Sequence, residues 1–190
     1  IINGREEARV LCNNIVENIG SAKGNYAYID VGGGSTEISL LHDGVLTHSH
    51  SYNIGTLRML GGMVSKDAIE KMRSDLHNLA KEMPGMCMIG SGGNINKLFK
   101  LTNTGKKVRE VSVDEIKTVY DKLKVLSVDE RIEQYGLKVD RADVIIPASE
   151  IFMTVADALG CDMIKVPNIS LADSIIDGLY RTKYAASDAV

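Results

Sequence analysis

The sequence lacks a basic excess and any long apolar run, and it has few cysteines; each shortage removes a class of function. Its 22 Lys and Arg face 25 Asp and Glu, for a formal net charge of -3. Non-specific binding to DNA or RNA depends on counterion release at a dense Lys/Arg surface, which this balance does not provide. A polyanionic ligand would have to be met by local charge. The three cysteines, Cys12, Cys87 and Cys161, are odd in number, far apart and embedded in apolar segments. Neither a disulfide nor a zinc site is expected, and the thiols read as buried in a reducing compartment. No apolar stretch nears the ~20 residues of a membrane span, and no basic segment precedes an apolar one in the manner of a signal peptide. The expectation is a soluble cytoplasmic protein, free of repeats and low-complexity tracts.

With 190 residues, 44% hydrophobic and 25% charged, the chain can build one substantial core, and a single domain over 1–190 is expected. It opens without methionine on Ile1-Ile2-Asn3-Gly4, which reads like the end of a strand. A piece of a longer protein is expected, with half of any site carried upstream. Ala8, Leu11, Cys12, Ile15 and Ile19 then recur at helical spacing until Gly20. Residues 26–31, 36–42 and 45–52 read as three strands of an antiparallel meander, the last two joined by Asp43-Gly44, a type I′ hairpin signal.

Helices are expected at 56–60 and after a Ser65 cap, where Ile69, Met72, Leu76 and Leu79 share a face until Pro84-Gly85. Residues 86–89 read as a strand running into Gly90-Ser91-Gly92-Gly93-Asn94 and a helix over 95–101. Ser112-Val113-Asp114-Glu115 and Ser127-Val128-Asp129-Glu130 are capping boxes that start two more helices. Asp140 is expected to cap a long helix reaching Leu159 and kinked at Pro147. A strand at 163–166, a helix after Ser170 and a loose tail at 181–190 complete the chain. This order predicts an α/β, ribonuclease H-like (actin-like ATPase) lobe: a mixed five-stranded sheet with three antiparallel meander strands and two parallel strands, flanked by helices.

The densest chemistry lies in Asp30-Val31-Gly32-Gly33-Gly34-Ser35-Thr36-Glu37, directly after a strand. Glycines let the backbone approach an anion, successive N–H groups in such a turn form an anion-binding nest, and Ser35 and Thr36 add hydroxyls. Asp30 at the strand end suits Mg²⁺, which is held by one or two carboxylates together with substrate phosphates. A triple glycine equally suits a tight hairpin turn. His48 and His50 share a strand face, but a metal there needs further ligands and none is evident. Met83, Met86 and Met88 read as core filler, and Lys106-Lys107-Val108-Arg109-Glu110 as solvated surface.

Taken together, these residues resemble the exopolyphosphatase and guanosine pentaphosphate phosphohydrolase (Ppx/GppA) family, within the acetate kinase, sugar kinase, Hsp70 and actin superfamily. Ile2-Asn3-Gly4-Arg5-Glu6-Glu7-Ala8-Arg9 is similar to the family's glycine-x-Glu-Glu-Ala-Arg segment. Residues 30–37 resemble its second phosphate loop, and Arg141-Ala142-Asp143 with Pro147 a later signature. The likeness covers most of the chain. It implies the second, C-terminal lobe of a two-lobed phosphohydrolase, inactive without the upstream lobe and its own phosphate loop. The implied reaction is Mg²⁺-assisted release of terminal orthophosphate from inorganic polyphosphate or guanosine pentaphosphate.

By the same resemblance Glu7 activates the attacking water, and Glu37 holds metal-bound water or shares the base role. Asp30 binds Mg²⁺, while Gly32, Gly33, Gly34, Ser35 and Thr36 cradle phosphates, with Arg9 and Arg58 beside them. The loop Gly90, Ser91, Gly92, Gly93 fits the superfamily's adenosine-side position, and family analogy suggests a homodimer. Where family members carry glycine-leucine-arginine-x-glycine, this chain has Ser170-Leu171-Ala172-Asp173-Ser174, so the expected arginine is missing. Two rivals stand beside the hydrolase: an ATP-dependent kinase of the same superfamily, and a non-catalytic nucleotide- or polyphosphate-sensing module.

Overall fold

The computed structural model describes residues 23–102, 105 and 108–167. The helix expected before Gly20, with Glu7 and Arg9, lies outside them, as do the helix after Ser170 and the tail.

Side-chain alternation sets the sheet. In β1 (Asn25–Val31), Ala27, Ile29 and Val31 join the main core, while Tyr26 and Tyr28 join a smaller cluster with Leu41 and Ile89. Both faces are apolar, as a central strand requires. β2 (Thr36–His42) pairs antiparallel with β1, and β3 (Val45–Tyr52) antiparallel with β2. The β2–β3 connection is the expected tight hairpin: Asp43 and Gly44 have φ of 49° and 78°, the two positive values a type I′ turn demands. β3 is an exposed edge, and its register shifts by one residue at Thr47, whose hydroxyl donates to the Leu40 carbonyl (3.1 Å). Such a bulge twists an edge strand away from unwanted pairing.

A short helix α1 (Thr56–Leu60) and a long α2 (Lys66–Glu82) follow, the latter capped by the Ser65 hydroxyl accepting from Ala68 N. β4 (Cys87–Ser91) lies parallel to β1 and leads directly into α3 (Gly92–Thr102). Both capping boxes are present: Ser112 begins α4 (Val113–Leu123), and Ser127 begins α5 (Val128–Tyr135). After α6 (Val139–Ala142) and α7 (Ile145–Leu159), β6 (Met163–Lys165) adds parallel to β4. Met72 and Leu76 of α2, Ile95 and Leu98 of α3, Ile116 of α4 and Phe152 of α7 fill the main core against the sheet.

Two expectations are corrected. The sheet has six strands, in the order β3-β2-β1-β4-β6-β5, because β5 (Glu110–Ser112) pairs antiparallel with β6. The single long helix after Asp140 is two helices. Lys138, not Asp140, occupies the cap position of α6, and the Asp143 carboxylate takes the Val144 N–H (2.7 Å) at the break. Pro147 lies in the first turn of α7, where its missing N–H has no intrahelical partner to lose, and the residue four before it is Asp143, at the break itself.

Candidate phosphate site

The loop between β1 and β2 owes its shape to the N-terminus of α1. The Gly32 carbonyl accepts from Thr56 N (3.0 Å), and the Gly33 carbonyl from Leu57 N (2.9 Å) and Arg58 N (3.2 Å). In a trans peptide the N–H points opposite to the carbonyl. Turning those two carbonyls toward α1 therefore turns the Gly33 and Gly34 N–H groups away from it, side by side. The amides of Gly33, Gly34 and Ser35 donate to no backbone carbonyl among the described residues, whereas Gly32 N is spent on the Ser35 carbonyl (2.9 Å).

Gly55, which sequence reasoning passed over, makes this approach possible. A Cβ there would lie 2.5 Å from Gly33 O, Gly34 C and Ser35 N. The Thr36 hydroxyl, expected to meet phosphate, is instead fully buried and donates to the Ile54 carbonyl (2.6 Å). Thr36 shares the inward face of β2 with Ile38 and Leu40, so its side chain braces the loop from below.

On the opposite face of the sheet, Asp30 and Glu37 are direct cross-strand partners, with Ser51 beyond Glu37 and Ser91 beyond Asp30. The Glu37 carboxylate accepts from the Ser35 hydroxyl (2.6 Å) and the Ser51 hydroxyl (3.1 Å) through one oxygen. Asp30 meets the start of α3: a Cβ on Gly92, whose φ is +89°, would lie 2.7 Å from Asp30 Oδ1. The positive end of the α3 dipole thus faces a carboxylate. The Ser91 hydroxyl, 1% exposed, is the one buried side-chain polar atom without a partner among the described residues.

The second glycine loop is thereby part of the same site. It is tied there by Asn94, whose Nδ2 donates to the Val31 carbonyl (2.9 Å) and whose Oδ1 accepts from Arg141 (3.1 Å). Arg141 itself lies where a Gly93 side chain would be, 2.8 Å from the Cβ position. Gly55 carried no local signal in the sequence, and Asn94 only its place at the end of the second glycine-rich loop. Arg58 is half-buried at the loop, with no ion pair or side-chain hydrogen bond to other described residues. His48 and His50 stand exposed on β3, the latter with its ring 4.2 Å from that of Tyr52. Arg109, read as solvated surface, holds the Val166 carbonyl (2.8 Å) and Asn96 Oδ1 (2.7 Å) and lies over Phe99.

Three meander strands followed by parallel strands with helical crossovers, and a glycine-rich loop at the ends of both β1 and β4, define an actin-like, ribonuclease H-like α/β lobe. The chain belongs to the Ppx/GppA phosphatase family, which it matches over residues 1–182. It is 22% identical over 191 residues to the guanosine-5'-triphosphate,3'-diphosphate pyrophosphatase of Aeromonas hydrophila, an alignment covering 94% of this chain and 38% of that protein.

Its fold is similar to that of the type II variant of the Aquifex aeolicus Ppx/GppA phosphatase, with a TM-score of 0.76 at 20% identity over 92% of this chain and 63% of that one. It is also similar to an exopolyphosphatase from Cytophaga hutchinsonii, with a TM-score of 0.73 at 19% identity over 95% and 64% of the two chains. The chain thus spans 38% to 64% of the length of these relatives. No described helix is long and apolar enough to cross a membrane.

Proposed function

We propose that this chain is the second lobe of a phosphohydrolase releasing terminal orthophosphate from inorganic polyphosphate or guanosine pentaphosphate by attack of water. The observation that carries the reading is the meeting of the loop amides of Gly33, Gly34 and Ser35 with the cross-strand carboxylates Asp30 and Glu37. Phosphoryl transfer needs fixed donors for the charge on the equatorial oxygens and an oriented nucleophile, with little covalent work for the protein. The amides supply the donors, and Arg58 adds a cation at the loop. By resemblance to the family segment, Glu7 and Arg9, outside the described residues, would serve as water-activating base and phosphate contact.

Mg²⁺ fits the carboxylates present. Asp30 and Glu37 are direct cross-strand partners and would hold Mg²⁺, which favours one or two carboxylates together with the substrate's phosphates. When bound, the metal neutralises charge on the phosphoryl oxygens. The remaining partners of the site are the upstream lobe and, by family analogy, a second copy in a homodimer.

The test is Mg²⁺-dependent orthophosphate release by the full-length protein from long polyphosphate, guanosine pentaphosphate and ATP. Wild type is compared with Glu7→Gln, Asp30→Asn and residues 1–190 alone. Release from one of the first two substrates is expected, with a loss of at least ~100-fold in either variant and near-silence from the isolated chain. Turnover of ATP alone, or variants as active as wild type, would sink the reading.

A further inference from the structure

The phosphate loop is held from below by Thr36 and from the side by α1, but its first peptide is held by a side chain from elsewhere in the molecule. Val31 is the last residue of β1, so the direction of its carbonyl sets how the chain enters Gly32. That carbonyl accepts from Asn94 Nδ2 (2.9 Å) in a buried contact. The other end of the Asn94 amide accepts from Arg141 (3.1 Å). A guanidinium can only donate and a carbonyl can only accept. The two contacts thus demand the same orientation of the Asn94 amide, with Arg141 adding to the demand of the Val31 carbonyl: a flip would set Oδ1 against that carbonyl and Nδ2 against the guanidinium.

Arg141 is itself held. Its guanidinium lies on Gly93, where a Cβ would be 2.8 to 3.2 Å from three of its atoms, and its Nε stands 3.7 Å from the Asp140 carboxylate. The four-residue helix α6 that presents it is clamped by Arg131, which donates to the Leu123 and Ala142 carbonyls at 2.9 Å each. The path thus runs from α6 through the start of α3 to the end of β1, over sequence separations of 47 and 63 residues.

We propose that Arg141 is a positioning residue for the phosphate loop, acting through Asn94. The guanidinium fixes the amide, the amide fixes the Val31 carbonyl, and the Val31 carbonyl fixes the entry into the turn that aims the Gly33 and Gly34 N–H groups. The inference rests on the reading of that turn as the phosphate site.

The test is a double-mutant cycle in the full-length protein, with Arg141→Ala, Asn94→Ala and the pair. Orthophosphate release is read alongside amide exchange over residues 29–37. Each single variant is expected to lower kcat/KM about tenfold or more, and the pair to be no worse than Asn94→Ala alone, as for groups acting in series. Exchange in the loop should quicken in Arg141→Ala. Guanidinium ion at sub-denaturing concentration should restore rate and slow exchange in Arg141→Ala, but not in the pair. Arg141→Lys, which keeps the charge without the planar fork, should fall between wild type and Arg141→Ala.

Losses that multiply, with rescue by guanidinium in both backgrounds, would make Arg141 a direct substrate contact and overturn the proposal. A fall in melting temperature with unchanged kcat/KM and unchanged loop exchange would overturn it equally. If the wild-type protein releases no phosphate, the phosphohydrolase reading falls, while exchange over residues 29–37 still decides the relay.

Discussion

Gly55 and Gly34 sit a few ångströms apart and face opposite demands. A Cβ on Gly55 would stand 2.5 Å from three backbone atoms of the loop, none of which can rotate aside, whereas a Cβ on Gly34 meets nothing within 4 Å. Gly55→Ala must therefore push the loop off the N-terminus of α1 and break the bonds from Thr56, Leu57 and Arg58 that orient its carbonyls. We expect a stability loss of about 1–3 kcal/mol, the usual cost of overpacking, and a larger fractional loss of phosphate binding. Gly34→Ala should leave the melting curve near wild type. Urea melts of the two variants check this, and equal stability would show that the close approach of Gly55 does not hold the loop.

Two helices begin with the same four-residue motif and differ in what stands behind it. Ser112 and Ser127 each form a full capping box with a glutamate three residues on. α4 buries Ile116, Val119 and Leu123, while α5 buries none of its residues. Losing the Ser112 cap should loosen a helix that the core depends on, and Ser112 also ends β5. Ser112→Ala is expected to cost about 1 kcal/mol in global unfolding. Ser127→Ala should show only as faster amide exchange within α5. The hydrogen bonds from Ser127 hold the Glu130 carboxyl below its usual range. That support is present above the ordinary carboxylate pKa and is lost as pH falls through the lowered one.

These local motifs were legible because each is complete within a few residues, as is the Asp43-Gly44 turn. β5 was not: only Val111 of its three residues is fully buried, and its partner strand lies some fifty residues later. The site divides the same way. Asp30, Glu37 and the glycines announce themselves in one stretch of sequence; Asn94 and Arg141 stand in motifs of their own, and only the fold joins them, with Gly55, to that stretch. Thr36 could have been placed by alternation alone, since Ile38 and Leu40 fix which face of β2 is inward.

For the molecule as a whole, burial and hydrogen bonding raise the pKa of four groups among the described residues, all in the same direction. The hydrogen bond to Glu150 pushes Tyr120 up to about 12, and burial followed by the nearby Asp75 charge pushes Tyr52 up to about 12. Burial pushes Cys161 up to about 11, with Cys87 beside it raised for the same reason. Each folded-state pKa lies above the ordinary value of 9.0 for the thiols or 10.0 for the phenols. The native protein therefore holds these protons more tightly than the unfolded chain does. Their contribution is complete below the unfolded values and is lost as pH rises through the folded ones.

The melting temperature should accordingly decline from about pH 9 toward pH 12, faster than the loss of lysine charge alone would produce. Tyr120→Phe should be less stable at neutral pH, where it lacks the 2.7 Å bond to Glu150, yet decline less steeply above pH 10. Thermal melts of both proteins across this range test it. Parallel curves would mean that Tyr120 ionises without opposing the fold, and that the contact between α4 and α7 does not depend on its proton.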